Sequence, residues 1–122
     1  MNSQVLMSNQ PKFDLEERTA VFGEKVIACM KRLPKNDITR PLIIQLVRAA
    51  TSVGANYCEA DDAVGKKDFK NKIGISKKEA RECKHFLRMI NGAAPGFEIE
   101  INGLLQEAKE LHLIFNAIFS KV

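Results

Sequence analysis

Apolar residues recur at helical spacing along most of this chain, and no stretch sustains a strict alternation of apolar and polar positions. The pattern predicts four helices and no strands. Helices joined by short loops of this kind favour an all-α fold, an up-down-up-down antiparallel four-helix bundle. We assign the bundle to residues 13–122 and interpret the polar, aperiodic residues 1–12 as a disordered leader.

Start and stop residues bound the first two predicted helices. The first begins near Asp14, which can cap it, and ends before Pro34. The second begins around Pro41, because a proline lacks only an amide that would be unpaired in a first turn, and it runs to about Ala60. The predicted apolar face of the first helix is Leu15, Val21, Phe22, Val26, Ile27, Met30 and Leu33.

The third predicted helix covers residues 66–90 and ends at Asn91-Gly92 and Pro95-Gly96. Its apolar seam advances in steps of four and three, which is typical of helices packed nearly parallel to their neighbours. The seam is Phe69, Ile73, Ser76, Ala80, Cys83, Leu87 and Ile90. The fourth helix, from about Ile99 to Ser120, presents Leu104, Ala108, Leu111, Phe115 and Ile118.

The second and third helices carry more apolar surface than one core requires. On the second helix the apolar residues cover about half the circumference at ~100° per residue, and on the third helix Ile75, Phe86 and Met89 lie off the seam. We therefore predict self-association through these faces, because a monomer would expose an adhesive patch. The alternative is tighter internal packing of a slightly irregular bundle.

Positive charge is concentrated in the third helix. Residues 66–88 hold nine lysines and arginines against three acids, a net charge of +6 in a chain whose total is +4. Six of these side chains fall within about 60° of one another at ~100° per residue, and we call them the basic stripe. A stripe of this kind can contact RNA or DNA phosphates or can simply be a solvated helix face. The basic stripe is Lys66, Lys70, Lys77, Arg81, Lys84 and Arg88.

Cysteine usage and hydropathy bear on compartment. Cys29, Cys58 and Cys83 are odd in number and widely spaced in helical apolar patterns, so we expect buried thiols and neither a disulfide framework nor a zinc cluster. No apolar run approaches the ~20 residues that span a bilayer, and residues 1–12 lack the features of a signal peptide. We therefore expect a cytoplasmic protein without a membrane partner.

Polar residues on otherwise apolar helix faces admit a structural or a catalytic interpretation. We favour a structural network in which Arg48 and Asn56 donate to carboxylates of the third helix and hold helix register. Glu82-x-x-His85 has the spacing of a di-iron ligand pair, but such a site needs two Glu-x-x-His pairs and this chain has one. With no Gly-rich phosphate loop either, we predict no metal, no cofactor and no catalytic residues. The predicted network is Arg48, Asn56, Glu59, Glu79 and Glu82.

Three segments together resemble a known family: RAATSVGANYCEA, KDFKNKIGISKKEARECKHFLRMI and LLQEAKELHLIFNAI. They are similar to the four-helix bundle proteins encoded by intervening sequences in 23S ribosomal RNA genes, often labelled S23 ribosomal proteins. The likeness extends from about Phe13 to the C-terminus. Two positions depart from the family pattern, since Ala60 replaces the usual Gly after Glu59, and Phe86 stands where an aromatic, often Trp, precedes Leu87.

The resemblance implies a homopentameric ring of bundles, similar to the accessory proteins of diversity-generating retroelements, which bind nucleic acid through a basic surface. It does not imply a structural role in the ribosome. Because no catalytic constellation stands out in the sequence, we predict a non-enzymatic protein. Two alternatives stay open. Arg81-x-x-x-His85 faintly resembles the Arg and His pair of HEPN ribonucleases, and the protein could instead be a scaffold for protein–protein interaction.

Overall fold

The structure, a computed structural model, describes residues 14–122. It contains four helices and, within those residues, no strand, which confirms the all-α prediction. The predicted leader and Phe13 lie outside the described residues. Among the described helices, none has a stretch both long and apolar enough to span a bilayer. The helices are α1 (Leu15–Arg32), α2 (Thr39–Asp61), α3 (Lys66–Ala93) and α4 (Glu98–Lys121).

The helices pack in chain order, α1 on α2, α2 on α3 and α3 on α4, and α1 touches α4 least extensively. This arrangement is that of a helical bundle around one core. The seam predicted for α3 is confirmed, because six of its seven residues are buried and Phe69 is half-buried. The largest fully buried side chains come from all four helices: Phe22, Met30, Leu46, Ile73, Leu87, Ile101, Leu111 and Phe115.

Local contacts fix the ends of α1. The Asp14 carboxylate accepts a hydrogen bond from the Glu17 amide at 3.1 Å, which confirms the predicted cap. The predicted apolar face is wrong at one position, because Ile27 is 38% exposed, while Cys29 is buried. Cys29 lies seven positions after Phe22, nearly two full turns, whereas Ile27 lies about 140° away from Phe22 around the helix.

Two helix boundaries differ from the predicted ones. The Asn36 carboxamide oxygen accepts from the amides of Ile38 and Thr39 at 2.9 and 3.0 Å, so α2 begins at Thr39 and Pro41 falls within its first turn. Helix α3 ends at Ala93, one residue beyond Asn91-Gly92 and before Pro95-Gly96, and Asn91 Nδ2 donates across to Asn102 Oδ1 on α4 at 3.1 Å.

The cysteines differ in exposure. Cys29 and Cys83 are buried as predicted, whereas Cys58 is exposed, so the prediction of a buried thiol is wrong there. Burial raises the pKa of the Cys83 thiol to about 12 and that of Cys29 to about 11. Both buried thiols are therefore protonated at neutral pH.

Candidate nucleic-acid interface

The basic stripe lies along the junction of α3 and α4. Lys70 Nζ and Lys77 Nζ lie over the ring of Phe119, 4.7 and 4.9 Å from its centroid. Lys84 Nζ lies 3.0 Å from Nδ1 of His112, also on α4. These contacts orient three lysines of the stripe, since each ammonium is attracted to an aromatic face or a ring nitrogen.

Within residues 14–122 no aspartate or glutamate neutralises the charges of the stripe, and Lys70 Nζ donates to the main-chain oxygen of Val122 at 3.0 Å. Lys66, Arg81 and Arg88 are exposed, and in this part of the chain no member of the stripe forms an ion pair with an aspartate or glutamate. From Lys66 to Arg88 the row extends about 33 Å along the helix axis, at ~1.5 Å per residue. The arrangement is a line of cations along one flank of α3.

The opposite flank of α3 carries acidic side chains and charges that are paired. Its two buried or half-buried acids, Glu79 and Glu82, face α2, and Lys72 on the same flank bonds to Glu59 Oε1 at 2.7 Å. Acids and their partners thus face α2, while the unpaired bases face α4. This separation follows from the sequence, because Glu79 and Lys77 lie on opposite sides of the seam.

Arg48 is the centre of the polar network. Its Nη2 donates to Glu82 Oε1 at 2.7 Å, and its Nη1 lies 3.3 and 3.4 Å from the two oxygens of Glu79. Hydrogen bonding to Glu79 is the main cause that raises the pKa of Arg48 above its ordinary value. The expected role of Asn56 is wrong, since its Nδ2 donates to the main-chain oxygen of Ser52 at 2.9 Å and not to a carboxylate.

His112 was not predicted as part of the interface. Burial, followed by the charges of Lys84, Lys77 and Arg81, lowers its pKa below the ordinary value. The imidazole is therefore neutral at pH 7, and its Nδ1 can accept a hydrogen bond from the Lys84 ammonium. His112 directly follows the apolar Leu111 and lies on the flank of α4 toward α3. This position was the signal in the sequence that could have indicated its contact with the stripe.

The residues of the enzymatic alternatives lie on α3. Arg81 and His85 are both exposed on α3, with no hydrogen bond between them there, and the His85 ring packs edge-on against Phe86 with centroids 5.2 Å apart. Glu82 is bound to Arg48. Across residues 14–122, no group of three His, Cys, Asp or Glu side chains is placed to hold a metal ion.

Three ion pairs that join α1 to α4 were not predicted from the sequence. Arg18 donates to both oxygens of Glu107 at 2.7 and 2.8 Å and to Glu110 at 2.9 Å. Arg32 binds the two oxygens of Glu100 in the same forked manner. The seven-residue spacings of Arg18, Lys25 and Arg32 and of Glu100 and Glu107 were the signal that could have revealed them.

Four packed helices with one basic flank define a helical-bundle protein. Comparison with known proteins identifies its family. The chain belongs to the family of 23S rRNA-intervening sequence proteins, whose model matches residues 12–117, so the predicted family is confirmed. Among solved structures it is similar to a protein of unknown function from the S23 ribosomal protein family of Bacteroides thetaiotaomicron VPI-5482. That likeness has a TM-score of 0.74 at 23% identity and covers 85% of this chain and 96% of the other, which establishes the fold. No curated protein matches the sequence.

Proposed function

We propose that this protein is a non-enzymatic, oligomeric helical bundle that binds RNA or DNA through the basic stripe. The observation that carries the proposal is the row of six cations on one flank of α3, none paired with a carboxylate in residues 14–122 and three oriented by contacts with α4. Rows of lysine and arginine bind nucleic acid mainly through phosphate charge, so the binding is weakly dependent on base sequence.

The assembly that we propose is a homopentamer of up-down-up-down bundles, as the family resemblance implies. Contacts between residues far apart in the chain support that topology. Arg48 on α2 pairs with Glu79 on α3. Glu59, which lies later on α2, pairs with Lys72, which lies earlier on α3. The residue numbers of these pairs rise along α2 while they fall along α3, so the two helices are antiparallel neighbours.

Self-association has support on the outer side of α3. Met89 is 38% exposed, and Ile75 and Phe86 are half-buried, so apolar surface remains accessible on a single chain. This surface lies away from the basic stripe, and an interface there leaves the stripe accessible. Light scattering on the purified protein should give the mass of several chains, and a monomer throughout micromolar dilution contradicts the oligomer.

We place this activity in the cytoplasm. Three free thiols, two of them buried, support a reducing compartment for the protein. Localisation of a fluorescently tagged full-length chain tests the placement.

The decisive experiment is a salt titration of binding. Fluorescence anisotropy with labelled single-stranded RNA, single-stranded DNA and duplex DNA should give affinities that differ little with sequence and fall steeply as salt rises. Absence of binding to all three at low salt overturns the proposal and leaves a protein-interaction scaffold. Cleavage of the RNA that is lost in Arg81→Ala or His85→Ala, with binding retained, supports the ribonuclease alternative instead.

A further inference from the structure

A groove of about 620 Å³ lies between α1 and α4, the least extensive contact among the neighbouring helices. Its floor is apolar, formed by the buried side chains of Phe22 and Leu104, with Val21 and Ala28 beside them. The volume is in the range of small-molecule pockets, which combine an apolar lining with a few placed polar groups. The groove lies on the side of α4 that faces α1 and is separate from the basic stripe.

Ion pairs close both ends of this groove. Arg18 binds Glu107 and Glu110 at one end, and Arg32 binds Glu100 at the other. The two arginines are about 21 Å apart along α1, at ~1.5 Å per residue. A helix laid along the groove would have to break one of these bridges, so the groove suits a compact occupant.

The polar side chains that line the groove indicate which charge its occupant should carry. Both oxygens of each lining carboxylate already accept a hydrogen bond, those of Glu100 and Glu107 from arginine and those of Glu110 from Arg18 and Gln106. Lys25, which also lines the groove, has no hydrogen-bond or ion-pair partner within residues 14–122. The Lys25 ammonium is therefore the one charged group of the lining that has no partner in this part of the chain, beside the neutral carboxamide oxygen of Gln106.

Gly103 supplies an independent observation. It lies inside α4, between Glu100 and Glu107, where a glycine destabilises a helix relative to alanine. Packing does not require it, since a Cβ built there meets nothing within 4 Å, and its φ is not in the left-handed region. The absence of a side chain at Gly103 keeps the groove open at the level of Lys25, which lies midway between Arg18 and Arg32.

We propose that the α1/α4 groove is a binding site for a small organic anion with an apolar body, such as an aromatic or aliphatic carboxylate. The apolar part rests on Phe22 and Leu104, and the anionic group accepts from Lys25 Nζ. The site does not depend on nucleic-acid binding by the basic stripe.

The test uses 2-naphthoate as the probe and 2-naphthamide, which has the same ring system without the charge, as its control. Calorimetry and backbone-amide NMR should show naphthoate binding more tightly than naphthamide, with shift changes centred on Val21 and Gly103. Gly103→Leu should abolish binding of both compounds by filling the groove. Gly92→Leu is the matched control, because Gly92 is also helical with nothing within 4 Å of its built Cβ.

Charge is tested separately. Lys25→Gln should weaken naphthoate about fivefold, the upper end for an exposed ion pair, and leave naphthamide unchanged, whereas Lys31→Gln should affect neither. Circular dichroism confirms that each variant is folded. Absence of naphthoate binding to the wild type, equal binding to wild type and Gly103→Leu, or shift changes confined to the basic stripe each overturn the proposal.

Discussion

Gly54 on α2 lies so close to Thr19 on α1 that a Cβ at Gly54 would be 3.0 Å from Thr19 Oγ1 and 3.3 Å from Thr19 Cβ. Thr19 has little freedom to move, because it is buried and its hydroxyl donates to the Leu15 carbonyl at 2.7 Å. The two helices therefore approach so closely that a side chain at Gly54 would require Thr19 to shift by a few tenths of an ångström. The spacing of α1 and α2 depends on this contact.

Gly54→Ala should accordingly destabilise the protein, by about 1–2 kcal/mol, because the strain of overpacking exceeds the gain in helix propensity. Urea denaturation measures the change. Gly92→Ala is the control and should stabilise by about 0.5–1 kcal/mol, since nothing lies within 4 Å of its built Cβ. A stabilised Gly54→Ala variant would show that α1 and α2 can separate at no cost.

The two acidic partners of Arg48 should contribute unequally. The Glu79 side chain is 8% exposed and that of Glu82 is 36% exposed. Glu79→Gln should therefore lower the free energy of unfolding by about 1–2 kcal/mol, as for a hydrogen bond to a charged group, while Glu82→Gln should cost less than about 1 kcal/mol. The half-exposed guanidinium retains Glu82 and water as partners in the first variant, which limits the loss.

Chemical denaturation at low and high salt checks this difference. The effect of Glu82→Gln should shrink as salt rises, because its pair with Arg48 is more exposed. Equal losses for the two variants would mean that burial of Glu79 adds nothing to the network.

His112 should make stability depend on pH. Its folded pKa is lowered by burial and then by Lys84, Lys77 and Arg81, below an unfolded value of about 6.5. The unfolded chain therefore takes up the proton first as pH falls. Stability from this residue is complete above pH ~6.5 and declines as pH falls from there toward the folded pKa.

Lys84→Gln should raise the pKa of His112 toward its ordinary value, since it removes the nearest charge and leaves an amide that can still donate to Nδ1. An NMR titration of the imidazole measures this shift. Lys78→Gln, an exposed change on another face of α3, should leave the titration unaltered. An unchanged pKa in Lys84→Gln would show that the charge of Lys84 does not contribute to the lowered value.

The sequence was sufficient to predict elements whose cause is local. The spacing of the α3 seam, from Ile73 to Ile90, predicted burial correctly because a helix turns by a fixed angle per residue. Asp14 was a sufficient start signal for α1 because its carboxylate needs only an amide three residues away.

Features that need two distant segments were harder to predict. The bond from Asn91 joins α3 to Asn102 on α4, and no local pattern around Asn91 indicates that acceptor. Arg18 has three carboxylate oxygens as acceptors nearly ninety positions later in the chain, and no local pattern names them. Likewise His112 joins the basic stripe only through the packing of α4 on α3.

The basic stripe itself is tested by removing charge from it. Lys70→Gln, Lys77→Gln and Lys84→Gln together should weaken RNA and DNA binding about equally for all sequences, because phosphates carry no sequence information. The slope of log affinity against log salt should become shallower by about 0.7–0.9 for each phosphate that the variant no longer neutralises. Fluorescence anisotropy across a salt series measures both effects.

A second triple variant distinguishes the effect of the stripe on affinity from the effect of the protein's total charge. Lys25→Gln, Lys31→Gln and Lys78→Gln remove the same number of charges at exposed positions off the stripe. This control should retain most of the wild-type affinity and nearly the wild-type slope, since exposed charges more than about 10 Å from a phosphate are largely screened at 0.1 M salt. Equal loss of affinity in the two triple variants would mean that net charge, and not the row of cations on α3, attracts nucleic acid.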